Sequence, residues 1–151
     1  MAPEPPPAGR WQRGDVVHAI YLADSEETAW GEWYRALAER AVPPDRGFPR
    51  DLWRVRVTLE RIADLSTADR LARVGLPLPR PSLVDWGPFQ AVGEDLFATG
   101  FEGVLAPSAA RPESGRSLAV FRPVDRIVGL RPIGRPRRIA VPPALPRGLR
   151  T

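Results

Sequence analysis

The segment from Gly9 to Trp33 constrains the fold more than any other part of the chain. It contains the nearly continuous apolar run Val16–Ala23, which has the length of a strand and no polar face, as in a central strand covered on both sides. Asp24 follows as a candidate N-cap with Glu27 three residues later, so the spacing predicts a capping box and a helix to about Arg40. A strand is therefore expected to lead directly into a helix.

Two further helices and up to four further strands are predicted downstream. Residues 53–59 alternate apolar and polar side chains, which is the period of a half-buried strand. Glycine is the usual residue just past a helix end, and it predicts helix ends at Gly75 and Gly100. These helices are Thr67–Val74 and Phe89–Thr99, and the other strands are Val104–Ala106, Leu118–Phe121 and, at an edge, Ile127–Leu130. The mixture predicts an α+β fold.

Length and composition predict one domain with two flanking segments. The 151 residues suffice for a single core. Residues 1–8 are rich in proline and are expected to be disordered, residues 9–130 form the domain, and residues 131–151 are a basic tail rich in proline and arginine.

The positive charge of the chain is concentrated at its C-terminal end. Residues 126–151 hold seven arginines and no acidic residue, so the rest of the chain is mildly acidic. A solvated, partly disordered tail is the favoured interpretation. Nucleic-acid binding through Arg135, Arg137 and Arg138 is a distant alternative and is not expected, because no aromatic side chains are interleaved for base stacking.

The absence of cysteine and the single histidine exclude several classes of site. Disulfides, thiolate nucleophiles and cysteine zinc sites are impossible. A histidine metal site or a serine-histidine-aspartate triad would depend on His18, which we interpret as a packed core residue, so no metal is expected. No run of about 18 apolar residues and no signal peptide is present. We therefore expect a cytoplasmic protein with no membrane partner.

Four segments in a fixed order carry a resemblance to a known family. They are Gly9-Arg10-Trp11, the strand and helix from Ala19 to Trp33, Asp85–Glu94 with its Trp-x-x-x-Gln-x-x-Gly pattern, and Gly103–Arg111. Together they resemble the RES-domain family, whose characterised members are toxins that degrade nicotinamide adenine dinucleotide (NAD+). Each segment alone would be a weak signal, and the order gives the resemblance its strength.

The resemblance implies a fold, an activity and a partner. The fold would be similar to that of ADP-ribosyltransferases, a split β-sheet with flanking helices. The activity would be phosphorolysis of NAD+ to nicotinamide and an ADP-ribose phosphate, with NAD+ and inorganic phosphate as substrates and no separate cofactor. The partner would be an Xre-type antitoxin with a helix-turn-helix domain, and a homo-oligomer stays open. A catalytically inactive RES-like binding module is the alternative.

Three residues are the candidate catalytic group. Glu32 matches the family's glutamate, and a carboxylate stabilises the positive charge that builds on ribose when the bond to nicotinamide breaks. Arg10 suits pyrophosphate and phosphate, because its guanidinium is planar and permanently charged. The Tyr21 ring would face nicotinamide or ribose. The alternatives are an exposed helix glutamate, a surface arginine and a core tyrosine with a satisfied hydroxyl.

The candidate binding set is Arg10, Trp11, Tyr21, Trp86, Gln90 and Ser108. Trp86 and Gln90 match the family's later segment and are expected to line the pocket wall, with plain core as the alternative for Trp86. Ser108 would offer a hydroxyl or a backbone amide to phosphate, with an ordinary turn serine as the alternative.

Two departures from the family pattern accompany the resemblance. The family's N-terminal strand, with its arginine, is expected to be missing, because only eight residues precede the Gly-Arg-Trp turn. The position matched to the family's serine is Gly87. Of the three name-giving residues, only Glu32 is then carried over. A start assigned too late, or a domain whose catalysis is weakened, altered or lost, would each explain the pattern.

Overall fold

The computed structural model describes residues 7–82, 84–122 and 129–151. Its centre is a four-stranded sheet flanked by helices. In chain order the elements are β1 (His18–Ala23), α1 (Glu26–Glu39), a 3-10 helix (Pro44–Gly47), β2 (Arg50–Leu52), β3 (Val55–Val57), β4 (Ile62–Asp64), α2 (Ala68–Arg73), α3 (Trp86–Ala98), β5 (Gly103–Pro107), β6 (Arg116–Arg122), β7 (Leu130–Pro132) and β8 (Arg137–Ile139).

The four-stranded sheet has the order β1-β6-β5-β4. Strand β6 is antiparallel to both of its neighbours, and β4 is parallel to β5. In the described part of the chain, β1 therefore has one strand neighbour and lies at the sheet edge, so the prediction of a central strand is wrong. An apolar run is compatible with this edge position, because β1 pairs with β6 over its whole length and contacts α1.

Helix α1 begins one residue later than the sequence pattern predicts. Its N-cap is Ser25, whose hydroxyl accepts a hydrogen bond from the Thr28 amide at 3.1 Å. Asp24 instead accepts from the Arg116 amide at 3.0 Å and so joins the end of β1 to β6. A residue that has the properties of an N-cap is used here to link two strands.

The other predicted elements are found with changed boundaries. Of the strand predicted over residues 53–59, only Val55–Val57 (β3) is a strand; the unpredicted strand β2 precedes it and pairs with a different partner. Strand β4 was not predicted, because it is short and has no alternating pattern of useful length. Helix α3 begins at Trp86, three residues before the predicted start. His18 is half-buried at the first residue of β1 rather than packed in the core.

Parts of the predicted C-terminal tail form strands, although most of its residues are exposed. Strand β7 pairs with β3, and β8 pairs with β2, because β2 and β3 lie beyond the main sheet with backbone groups free for pairing. Three of the six arginines in residues 131–151 form ion pairs: Arg137 with Glu26, Arg138 with Asp51 and Arg150 with Glu113. Two of the four residues of the predicted edge strand, 127 and 128, lie outside the described ranges, and its last residue, Leu130, begins β7. Residues 1–6 of the predicted disordered segment also lie outside those ranges.

The main core joins one face of the sheet to α2, α3 and the Gly-Arg-Trp turn. Its buried members include Trp11, Leu71, Phe89, Val104 and Ala106. The Trp11 and Phe89 rings meet edge to face, with centroids 5.3 Å apart. The N-terminal turn is therefore fixed to α3 by the core. No helix in the described residues combines the length and the hydropathy that crossing a bilayer requires.

We predict that Gly93→Ala destabilises the protein and that Gly87→Ala, on the same helix, does not. A Cβ atom at position 93 would lie 2.0 Å from the backbone oxygen of Trp11, whereas one at position 87 would meet nothing within 4 Å. Backbone cannot swing aside, so we expect a loss of about 1–3 kcal/mol for Gly93→Ala. Urea unfolding of both variants measures it, and equal stabilities would contradict this packing.

Candidate functional site

A cleft of about 430 Å³ opens between the N-terminal turn, the end of β1 and α1. Alanine, aromatic and charged residues make up most of its lining. The lining includes Gly9, Arg10, Trp11, Gln12, Tyr21, Glu32, Trp33, Arg35, Arg40 and Trp86. Five of the sequence-predicted site residues are brought together here: Arg10, Trp11, Tyr21, Glu32 and Trp86.

Glu32 is held in the cleft by three donors. Its Oε1 accepts from the Ser108 hydroxyl at 2.6 Å and from the Ala110 amide at 3.4 Å, and its Oε2 accepts from Nε of Arg35 at 2.8 Å. Burial raises the pKa of this carboxyl, but the Arg35 charge and these hydrogen bonds outweigh burial and leave the pKa below its usual value. Glu32 is therefore an ionised carboxylate at neutral pH.

Arg35 is a functional residue that sequence reasoning missed. It lies three residues after Glu32 and four before Glu39, and its guanidinium bonds both carboxylates. Burial lowers the pKa of Arg35, but the Glu32 and Glu39 carboxylates more than offset this and raise it above its usual value. The i, i+3 and i, i+4 spacings were the available signal. The positive charge of Arg35 is therefore paired with the Glu32 and Glu39 carboxylates, and Arg35 holds Glu32 in position.

Arg10 is a buried residue in the wall of the cleft. Its Nη2 donates to the Arg80 backbone oxygen at 2.6 Å, and the guanidinium lies over the Phe89 ring at 5.2 Å. Its Nη1 is buried and has no hydrogen-bond partner among the described residues. Burial and the Arg35 charge lower the pKa of Arg10, but an arginine starts from above about 12 and stays a cation. A buried, unpaired donor beside a cleft suits an anionic ligand.

The Tyr21 hydroxyl is used to hold the N-terminal turn. It donates to Oε1 of Gln12 at 2.5 Å and accepts from the Trp11 amide at 3.0 Å. Burial raises the pKa of Tyr21 to about 12, so the hydroxyl stays protonated. A Cβ atom at Gly9 would lie 2.2 Å from this oxygen, which explains the glycine. The residue is 42% exposed and lines the cleft, while its hydroxyl is occupied by the turn.

The remaining predicted binding residues divide between the cleft and its support. Trp86 borders the cleft, whereas the Trp11 ring is buried in the core. Gln90 donates from Nε2 to the Gly9 and Gln12 backbone oxygens, at 2.9 and 3.4 Å, and so holds the turn from behind. Ser108 is fully buried and contacts Glu32. The serine that contacts Glu32 is thus Ser108. Gly87, the position matched to the family's serine, lies in the first turn of α3.

The cleft is cationic among the described residues. Three arginines, Arg10, Arg35 and Arg40, line it with the single carboxylate Glu32. Arg40 and Trp33 were not predicted as site residues, because nothing in their spacing along α1 distinguishes cleft from core. A concave site with this charge concentrates anionic ligands. The described residues hold no cluster of three or more metal-ligating side chains.

Comparisons with known proteins identify relatives of the whole domain. Residues 1–140 match the family model for the RES domain. Over 103 residues the chain is 32% identical to the NAD(+) phosphorylase MbcT of Mycobacterium tuberculosis and of Mycobacterium bovis, which covers 67% of this chain and 55% of each relative. The chain thus spans about half the length of these relatives.

A solved structure shares the fold. The crystal structure of the M. tuberculosis MbcT-MbcA toxin-antitoxin complex superposes with a TM-score of 0.74 at 28% sequence identity, over 87% of this chain and 72% of that chain. This similarity confirms the predicted α+β class.

We predict that the stabilising effect of Glu32 is lost in acid. The folded-state pKa of Glu32 is lowered by Arg35 and by its hydrogen bonds. Its contribution is therefore fully present above the unfolded pKa, about 4.3, and disappears as the pH falls through the lower folded value. Urea unfolding of the parent and of Glu32→Gln from pH 7 to 3 measures it. The difference in unfolding free energy should shrink in acid, and a difference that grows would contradict the assignment. Glu113→Gln, which removes an exposed carboxylate, is the control.

Proposed function

This chain belongs to the RES domain family, and from that premise we propose that it splits NAD+ with phosphate into nicotinamide and an ADP-ribose phosphate. The match of residues 1–140 to the family model supports the proposal, as does 32% identity to NAD(+) phosphorylases. The chain spans about half the length of those relatives, so the proposal depends on the chemistry of its own cleft.

One observation carries the proposal: the only carboxylate that lines the described cleft is Glu32, and it is ionised. Breaking the bond between nicotinamide and ribose gives the sugar oxocarbenium character in the transition state. A fixed negative charge stabilises that state more than the ground state, because the charge on the sugar grows only as the bond breaks. Nicotinamide leaves as a neutral base, so Glu32 need not supply a proton.

The arginines of the cleft suit the other parts of the reaction. Nη1 of Arg10, which has no hydrogen-bond partner in the described part of the chain, and the exposed side chain of Arg40 can hold the pyrophosphate of the dinucleotide or the attacking phosphate. Arg35 keeps Glu32 ionised, which separates its role from theirs. The rings of Tyr21, Trp33 and Trp86 offer apolar faces to nicotinamide and ribose. The cleft thus has one anionic position and two cationic ones.

The proposal extends to a partner. The solved neighbour is a toxin in complex with an antitoxin. We propose that this chain is likewise a toxin, acting on the cytoplasmic dinucleotide pool and held inactive by an antitoxin. The Xre-type helix-turn-helix character of that antitoxin comes from the family resemblance.

An inactive RES-like binding module is the second candidate. Both oxygens of Glu32 already accept hydrogen bonds from the protein, which is the observation in its favour. Such a module would bind the dinucleotide through the arginines and aromatic rings without splitting it. Turnover separates the two candidates.

We predict that the purified chain releases nicotinamide from NAD+ and that Glu32→Gln loses this activity by about 100-fold or more, because the change removes the stabilising charge. Nicotinamide release with and without inorganic phosphate measures it. Glu113→Gln makes the same chemical change at an 84% exposed side chain and should retain the parent rate.

Three outcomes would contradict the proposal in different ways. Equal rates in the parent and Glu32→Gln would remove Glu32 from the reaction. Release that is independent of phosphate would replace phosphorolysis with hydrolysis. A folded parent that binds NAD+ without turnover would favour the inactive module.

We predict that Arg40→Gln raises the KM for NAD+ and leaves kcat little changed. Arg40 is exposed at the cleft rim, where its charge would contact phosphate groups distant from the breaking bond. Arg73→Gln removes an equally exposed arginine from the end of α2, outside the cleft lining, and is the matched control. Steady-state kinetics at low salt measure both, and equal KM values for the two variants would contradict this role.

A further inference from the structure

The last eleven residues, 141–151, lie outside the RES family match and pack against the site. We call this segment the C-terminal strap. The Tyr34 hydroxyl donates to the Pro143 backbone oxygen, the Arg111 Nε donates to the Arg147 backbone oxygen at 2.8 Å, and the Arg150 amide donates to the Ala110 backbone oxygen at 2.7 Å. The strap thus binds both α1 and the loop that follows β5.

That loop, Ser108–Arg111, supplies two of the three donors to Glu32. The Ser108 hydroxyl donates at 2.6 Å and the Ala110 amide at 3.4 Å. The Arg111 amide donates to the Ser108 hydroxyl oxygen at 3.1 Å and so orients the hydroxyl toward Glu32. The loop is buried throughout, so its backbone groups need partners inside the protein.

Arg111 joins the loop, the strap and α1. Its guanidinium donates to Oγ1 of Thr28 at 3.2 Å and to Oε2 of Glu27 at 2.9 Å, in the first turn of α1. Its side chain passes over Gly31, where a Cβ atom would lie 3.2 Å from Cδ of Arg111. Arg111 is 7% exposed, and three of its donor positions are used. Each of its three guanidinium nitrogens makes a hydrogen bond, so this buried cation has little freedom to move.

We propose that the C-terminal strap and Arg111 are positioning elements for Glu32: they hold the Ser108–Arg111 loop so that its two donors fix the carboxylate in the cleft. The inference rests on the proposed function of Glu32. Neither the strap nor Arg111 lines the cleft, so they act through the loop and not on the substrate. The strap side chains matter less than its backbone, because Pro143, Arg147 and Arg150 make these contacts through backbone atoms.

Loosening the strap has a defined electrostatic consequence. The charged and titratable groups that face Glu32 are Arg35 and Glu39 on α1, Arg10 in the N-terminal turn and Tyr21 on β1. All of them stay in place when the strap is altered, whereas the Ser108 and Ala110 donors are released. Hydrogen bonds to a carboxylate favour its charged form, so their loss raises the pKa of Glu32.

The test compares Arg150→Pro with Arg150→Ala. Proline removes the amide that donates to Ala110, and alanine keeps that amide while removing the same ion pair with Glu113. Tyr34→Phe, which removes only the hydroxyl donor to Pro143, is a second and milder variant. Circular dichroism confirms folding, carboxyl-carbon NMR follows the titration of Glu32, and nicotinamide release gives kcat and KM for NAD+.

We expect Arg150→Pro to raise the pKa of Glu32 and to lower kcat by up to about 100-fold, with KM unchanged, because a displaced catalytic group slows the chemical step more than binding. Tyr34→Phe should shift both in the same direction by less, and Arg150→Ala should match the parent. An unchanged Glu32 titration in folded Arg150→Pro and Tyr34→Phe would overturn the proposal. The titration needs no turnover, so an inactive parent would overturn the proposed function and leave this test intact.

Discussion

Keeping an ionised carboxylate in a partly buried cleft is the constraint on which the rest of the site depends. Removing a carboxylate from water costs several kcal/mol unless donors replace the water. Glu32 receives them from Arg35 on its own helix and from Ser108 and Ala110 after β5. Helix α1 and the loop after β5 must therefore be held at a fixed distance from each other. The pairing of β1 and β5 with β6 fixes that distance, because α1 follows β1 and the loop follows β5.

The opposite wall of the cleft is built by a polar network whose members serve the backbone. The Tyr21 hydroxyl, Gln12 and Gln90 all bond the turn that begins at Gly9. This turn carries Arg10 into the space between Phe89 and the cleft. Groups that look reactive in the sequence are thus largely supports. The chemistry that we propose is left to Glu32, with Arg10 and Arg40 as anion-binding groups and the aromatic rings as apolar surfaces.

Local signals in the sequence predicted the parts of this arrangement that depend on neighbours in the chain. The apolar run and the capping residues located β1 and α1, and the family resemblance singled out Glu32. The edge position of β1 and the pairing of β7 and β8 depend on distant strands, so no local pattern contains them. Ser108 was named as a phosphate-binding candidate, whereas its contact with Glu32 spans 76 residues of chain. Arg111 lies in a segment that the family resemblance named, but no role was predicted for it. The strap left no signal, because backbone atoms make its contacts with the loop and α1.

Phosphorus NMR of the reaction products tests directly whether the chain splits NAD+ with phosphate. The purified chain is incubated with NAD+ and inorganic phosphate, and the pyrophosphate resonances of the dinucleotide are followed with that of free phosphate. Because phosphorolysis uses one phosphate for each dinucleotide split, we expect free phosphate to be consumed as a new phosphate ester on ADP-ribose appears, in equal amounts. Unchanged dinucleotide resonances with folded protein, or ADP-ribose formed without consumption of phosphate, would contradict it.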